Sequence, residues 1–247
     1  MEFYDRFVDK YDVLVSYENR VKREANFYDY LFKKHNINTI LDCACGTGHH
    51  VMMLKHMGYD IKGSDLSPAM IDKARANLKE NSLDVTLKIS DFKDLHKNFG
   101  KQFDAVICVG NSLPHLLTDE DLTLALNEMN AVLNENGILI LEQRNYDKLL
   151  KDKKRFFPVA FRENDVFFYV LDFFPSEIIF NIININTSTQ TLDTYTTKYN
   201  ALKMDKLKEL LHTSGFQVIE LYEDYDFAKF NIKTSERPII LCSKSKK

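Results

Sequence analysis

Thr39-Ile40-Leu41-Asp42-Cys43-Ala44-Cys45-Gly46-Thr47-Gly48-His49-His50 leads through a helix-like run into Asp60-Ile61-Lys62-Gly63-Ser64-Asp65. A short apolar run ends in an acid. Small residues carrying two glycines then turn the chain, a helix follows, and a second strand closes on another acid. This is the first β-α-β unit of a nucleotide-binding α/β fold. Gly46 and Gly48 allow a sharp turn and a close backbone approach to a ligand, with no Cβ in the way. Asp65 stands about 20 residues past the turn, where a carboxylate accepts hydrogen bonds from a ribose diol.

The turn also discriminates between nucleotides. A dinucleotide fingerprint needs a third glycine for close helix–strand packing beside a pyrophosphate, and this chain has Val51 there. Asp42, just ahead of the turn, repels a diphosphate and suits a cation. S-adenosylmethionine carries a sulfonium and an α-ammonium and no phosphate, so the turn suits it better than NAD. An ordinary βα turn with no ligand is the competing explanation.

The 247 residues fit one α/β domain with an elaboration. Hydrophobic residues make up 45% and charged residues 28%, the balance of a globular chain. A net charge of -3 argues against a nucleic-acid surface. The opening Met1-Glu2-Phe3-Tyr4-Asp5-Arg6 has no secretory h-region, and no apolar run reaches membrane-spanning length. Cys43, Cys45, Cys108 and Cys242 form no C-x-x-C pair. Zinc is therefore not expected, and the expected compartment is a reducing cytoplasm. His35, His56, His96 and His212 show no metal-ligand spacing. His49 and His50 read as solvent-facing positions at a helix start, and Lys244, Lys246 and Lys247 as a solvated tail.

Residues 3–35 read as helical with aromatics on a repeating face. Tyr4, Tyr11 and Arg20 recur at about two-turn spacing, so they can share a face. That face either packs at the sheet edge or closes over a cofactor. Ser67-Pro68 starts a helix to about Asn81. A strand from Val85 to Ser90 ends at Asp91-Phe92, an acid and a ring that suit an adenine. The strand Phe103 to Val109 runs into Gly110-Asn111-Ser112-Leu113-Pro114-His115. A helix from Asp119 to Leu133, a turn over Asn134 to Gly137 and a strand from Ile138 to Leu141 lead to Glu142-Gln143-Arg144-Asn145-Tyr146-Asp147.

Arg144 falls at a strand's carboxyl end, where ligands bind in open parallel sheets. A guanidinium there pairs either with a substrate carboxylate or with Glu142 or Asp147. From about Arg155 to Tyr199 the helical period disappears and Phe, Ile, Thr, Tyr and Asn dominate. This predicts an antiparallel meander inserted over the site. A helix from Met204 to Ser214 ends at Gly215. Phe216 to Tyr222 and Pro238 to Ser243 form the last two strands, an antiparallel pair at the sheet edge.

Four runs carry a resemblance: Phe7-Val8-Asp9-Lys10-Tyr11-Asp12, Leu41-Asp42-Cys43-Ala44-Cys45-Gly46-Thr47-Gly48, Gly110-Asn111-Ser112-Leu113-Pro114-His115-Leu116 and Gln143-Arg144-Asn145-Tyr146-Asp147. Together they resemble the glycine and glycine/sarcosine N-methyltransferases, which are class I S-adenosylmethionine-dependent enzymes. The resemblance implies a Rossmann-like seven-stranded α/β sheet with helices on both faces, plus the inserted antiparallel lid. A helical cap would span 1–37, the cofactor-binding core 38–150, the lid 151–200 and the completing helix and strands 201–247.

Tyr4, Tyr11 and Arg20 then enclose the methionine part of the cofactor, with Arg20 on its carboxylate. Ala44 and Asp65 match the loop and the ribose-binding acid, and Leu66 and Met70 join the cofactor set. Asp91 and Phe92 match the adenine pair, and Val109 precedes the G-N-S turn. Asn111 and Arg144 would hold an amino-acid acceptor, with His115 beside both ligands as a base or as a structural hydrogen-bonder. Tyr199, or else Tyr195, would reach the acceptor from the lid.

The implied reaction is methyl transfer to the amine of a small acceptor such as glycine or sarcosine. A thiol, another amino acid or a natural-product scaffold is the alternative. The implied partner is a small molecule, with no nucleic acid and no membrane; a homo-oligomer is compatible with all of this. Cys43 departs from the usual valine, Leu113-Pro114 from aromatic or small polar residues, and the meander shows little similarity to the family.

Overall fold

A computed structural model describes residues 2–100, 103–157, 160–174 and 177–245. Seven strands form the main sheet in the order β10-β11-β5-β4-β1-β2-β3. They are β1 (Thr39–Asp42), β2 (Asp60–Asp65), β3 (Leu87–Ile89), β4 (Phe103–Cys108), β5 (Leu133–Glu142), β10 (Phe216–Tyr222) and β11 (Ile239–Lys244). β1 pairs in parallel with β2 and β4, and β4 with β5, while β11 runs antiparallel between β5 and β10.

Alternation along each strand divides the core in two. Leu41, Val106, Leu139 and Ile240 point to one face and Ile40, Ile107, Ile140 and Ile239 to the other. The first face is covered by α6 (Asp119–Val132) and α8 (Met204–Thr213), through Leu122, Leu126, Leu207 and Leu211. The second is covered by α2 (Tyr17–Lys34), α3 (His49–His56) and α4 (Pro68–Glu80). Near-continuous apolar strands are what a sheet buried on both faces requires. Among the described residues no helix is long and apolar enough to cross a membrane.

The inserted segment forms a separate antiparallel sheet of β6 (Ala160–Arg162), β7 (Asp165–Phe173), β8 (Glu177–Asn186) and β9 (Thr191–Asn200). Ile178, Phe180 and Ile182 of β8 are buried at every second position and join the core on the α6 side. The remaining helices are α1 (Glu2–Leu14), α5 (Leu95–Phe99) and α7 (Tyr146–Asp152).

Four local expectations change. The N-terminal helical stretch is two helices, because Ser16 caps α2 by accepting the Asn19 N–H at 3.3 Å. The third strand is shorter than Val85 to Ser90. The expected turn over 134–137 lies inside β5, where these residues stand opposite Asp104 alone and Asn134 donates to its carboxylate at 2.9 Å. Lys244 is no tail residue: its ammonium donates to the Asn130 and Leu133 carbonyls at 2.9 and 3.0 Å. Lys246 and Lys247 lie outside the described residues.

α1 is fastened to both the lid and the glycine turn. Lys10 donates to both oxygens of the buried Asp165 on the lid at 2.8 and 3.0 Å, and Asn184 and Asn186 bind the same carboxylate. Two residues on, Asp12 accepts from the Thr47 hydroxyl in the glycine turn and from Asn77 of α4. One side of α1 therefore serves the lid and the other the turn.

Candidate active site

A single cleft of about 1090 Å³ opens at the carboxyl ends of β1, β2, β4 and β5, under α1 and the lid. This is where ligands bind in an open parallel sheet. Its first half is built by the glycine turn. Ala44, Gly46, Asp65, Leu66 and Met70 line it, followed by Asp91, Phe92 and Val109. Asp65 accepts the Gly46 N–H at 2.9 Å and the Ser67 N–H at 3.0 Å, which fixes the carboxylate at the strand end. Burial raises its pKa. Asp91 caps the following 3-10 turn by accepting the Lys93 N–H at 3.0 Å.

Tyr4, Tyr11 and Arg20 line the same half, although Arg20 comes from α2 and so shares no helix face with the two tyrosines of α1. Arg20 meets Glu24 at 3.7 Å and His50 at 2.8 Å, yet its Nε is buried without a partner. Burial alone would raise the Glu24 carboxyl, but His50 and Arg20 outweigh it and hold the group at about 2. His49 and His50 are both buried, against the expectation of solvent exposure. α1 and α2 close over the start of α3, placing His49 3.2 Å from Asp12 and His50 2.7 Å from Glu24.

Two expected cofactor residues do not line the cleft. Gly48 adopts φ 86° as the left-handed N-cap of α3, and a Cβ there would meet the Ala74 Cβ at 3.2 Å. Its task is helix packing, and only Gly46 faces the ligand space. Asp42 lies behind the turn, where its Oδ1 accepts the Ala44 N–H at 3.2 Å. Its Oδ2 is buried without a hydrogen-bond partner, and burial pushes the carboxyl up to about 7.

The second half brings together Asn111, His115, Arg144 and Tyr199. Gly110 and Asn111 take φ of 77° and 70°, a strained pair for a non-glycine second residue. The turn is pinned by Glu142, which accepts the Gly110 N–H on its side chain at 2.9 Å and the Asn111 N–H on its carbonyl at 3.1 Å. The Asn111 Oδ1 accepts from the Arg144 N–H at 2.8 Å and the Tyr146 hydroxyl at 3.2 Å, while its Nδ2 stays buried and unpartnered.

The Arg144 guanidinium lies over Phe180 at 5.1 Å and Phe157 at 5.7 Å. Among the described residues no carboxylate pairs with it. Glu142 pairs with Arg237 at 2.6 Å, and Asp147 accepts the Met204 N–H at 2.9 Å. Burial, reinforced by Arg237, lowers the Arg144 pKa.

His115 sits between the halves. Its Nε2 lies 2.8 Å from the Tyr4 hydroxyl and its Nδ1 3.4 Å from the Thr197 hydroxyl. Burial drives its pKa to about 4, so the ring is neutral near pH 7. Tyr199 meets His115 at 4.7 Å. Tyr195 instead packs on Phe7 at 4.9 Å, away from the cleft. Sequence reading missed Tyr169, Phe180 and Arg237, which close the acceptor end.

The donor set fits S-adenosylmethionine. An unpartnered Arg20 Nε suits a carboxylate, a buried acid behind the turn suits a cationic ligand, and Asp65 suits a diol. The fold and this cleft define a class I S-adenosylmethionine-dependent methyltransferase. Residues 40–137 match a methyltransferase domain family. A glycine/sarcosine N-methyltransferase of Halorhodospira halochloris is 31% identical over 227 residues, covering 91% of this chain and 82% of that one. A second, from Aphanothece halophytica, is 32% identical over 91% of this chain and 83% of its own. The fold matches a S-adenosylmethionine-dependent methyltransferase from Clostridium acetobutylicum with a TM-score of 0.84 at 21% identity, over 98% of this chain and 99% of that one. The chain belongs to the glycine/sarcosine N-methyltransferase family, and its cofactor is S-adenosylmethionine.

Proposed function

We propose that this enzyme methylates the amine of glycine or sarcosine. The observation that carries the reading is Arg144, a half-buried guanidinium at the cleft's acceptor end with no carboxylate partner among the described residues. Leaving such a charge unpaired is costly, and an amino-acid carboxylate satisfies it with two parallel hydrogen bonds. The unpartnered Asn111 Nδ2 supplies a third donor nearby. When bound, S-adenosylmethionine supplies a methyl group already activated on sulfur.

The protein's share is then placement and electrostatics. Arg144 and Asn111 hold the acceptor by its carboxylate and leave its amine free to point along the cleft. The amine must be neutral to attack. His115 is neutral and already engaged with Tyr4 and Thr197, so its role here is to fix these two hydroxyls; the amine's proton leaves to water before transfer. Burial keeps Tyr4 a phenol, with its pKa well above the usual tyrosine value.

A panel of glycine, sarcosine, dimethylglycine, alanine and methylamine, with S-adenosylhomocysteine release measured, tests this reading. Glycine and sarcosine should turn over and methylamine should not. Methylamine turning over as well as glycine would remove the role given to Arg144. A larger amine is the second reading, favoured by a cleft whose volume of about 1090 Å³ exceeds the ~300–1,000 Å³ common for small-molecule sites. It predicts that bulky secondary amines outrun sarcosine.

A further inference from the structure

Among the described residues, the guanidiniums of Arg144 and Arg237 and the carboxylate of Glu142 line the acceptor end of the cleft. Arg144 has no anionic partner among the described residues. Arg237 reaches in from the segment before β11 and gives its Nε to Glu142 at 2.6 Å. Among the described residues no other carboxylate pairs with it. Arg144, Arg237 and Tyr199 all line the cleft. Of the other charged residues lining the cleft, Arg20 pairs with Glu24, Lys198 with Glu177 and Glu236 with Lys148, while Glu223 accepts the Ser235 hydroxyl and Asp224 accepts the Asp226 and Ala228 N–H groups of its own loop. Arg162 lies at the exposed rim of the lid.

Glu142 is the side chain that brings this balance to one net positive charge. Its side chain is 11% exposed, and Arg237 holds its carboxyl below the usual range although burial alone would raise it. A cleft with one uncompensated positive charge favours one carboxylate. A second anionic group on the ligand meets Glu142 at close range, where repulsion is stronger than in water.

We infer that the Glu142–Arg237 pair is a specificity determinant, setting the acceptor end to one net positive charge so that it takes a monocarboxylic acceptor and rejects a dicarboxylic one. The inference rests on the carboxylate-binding reading of Arg144, but neither residue touches the transferred methyl group in this scheme. Arg237 acts on the acceptor through Glu142 and through its own charge. Glu142 does so through its charge and through the Gly110–Asn111 turn it holds.

Acetate and malonate are the probes, because they report carboxylate recognition without any need for turnover. Their affinities for the complex with S-adenosylhomocysteine are measured by calorimetry on wild type, Glu142→Gln, Arg237→Lys and Arg237→Met. In wild type acetate should bind and malonate should bind more weakly. Glu142→Gln, which leaves two unopposed cations, should raise malonate affinity relative to acetate about tenfold. Arg237→Lys keeps the charge and should keep the wild-type ratio.

Arg237→Met leaves Glu142 facing Arg144 and should weaken acetate about tenfold with S-adenosylhomocysteine affinity unchanged. An unchanged ratio in Glu142→Gln would overturn the inference, and so would an equal shift in Arg237→Lys. If Glu142→Gln does not bind S-adenosylhomocysteine, Arg237→Met decides: parallel loss of acetate and S-adenosylhomocysteine binding means a structural pair only. Failure of the glycine reading shows separately, as acetate binding without turnover of sarcosine.

Discussion

The two halves of the cleft are built in opposite ways. The cofactor half comes mostly from one β-α-β unit, and the fold itself creates it: Gly46 turns, Asp65 is fixed by two backbone N–H groups, and Met70 follows on α4. The acceptor half is assembled from β4, β5, the lid and the segment before β11, and side chains hold it together. Backbone geometry serves a ligand that never changes. Side-chain charge and ring packing can be altered piecemeal, so specificity sits in the second half.

Arg144→Met should break the acceptor half with the largest effect. Losing a buried charge-assisted pair costs on the order of 3 kcal/mol, so kcat/KM for glycine should fall about 100-fold or more. Steady-state kinetics would show the loss in acceptor KM, with the calorimetric affinity for S-adenosylhomocysteine intact. Loss of both together would mean that Arg144 supports the fold.

Gly48→Ala tests the opposite claim, that the cofactor half fails through the fold. A Cβ at φ 86° and 3.2 Å from Ala74 should cost ~1–2 kcal/mol in urea unfolding. The folded variant should keep its acceptor KM.

The smallest effect on ligand binding concerns Asp42. Its carboxyl titrates at about 7 in the folded protein against an ordinary 3.8. A raised folded value gives stability that is complete below about pH 4 and lost as pH rises through about 7. Melting temperature without cofactor should therefore decline over this window, and less so in Asp42→Asn. A cationic ligand favours the carboxylate, so wild-type affinity for S-adenosylmethionine should rise a few-fold from pH 6 to pH 8, and Asp42→Asn should flatten that rise.

The same contrast explains what could be read from the chain. The Thr39 to Asp65 unit was legible because strand, turn and helix are contiguous and each has its own period. The G-N-S and Q-R-N-Y-D runs pointed through resemblance to Asn111, His115 and Arg144, which line one cleft. Tyr199 was favoured over Tyr195 on a loose alignment, and β9 turns both toward the core four residues apart. His49 and His50 were misread because helical periodicity cannot show that two other helices cover the same turn. The residues 134–137 look like a turn, and they form the irregular stretch of β5 between its Leu133–Phe103 and Ile138–Ala105 pairings with β4. Arg237 was invisible: it lies in an aperiodic segment, and its partner is 95 positions away.

The two-point fastening of α1 has a practical corollary. Lys10 and Asp12 bind different bodies, the lid and the glycine turn, through a single rigid rod. Trimming the first fourteen residues would therefore strip a wall from both ligands at once, and a bulky fusion at that end would be felt by donor and acceptor alike.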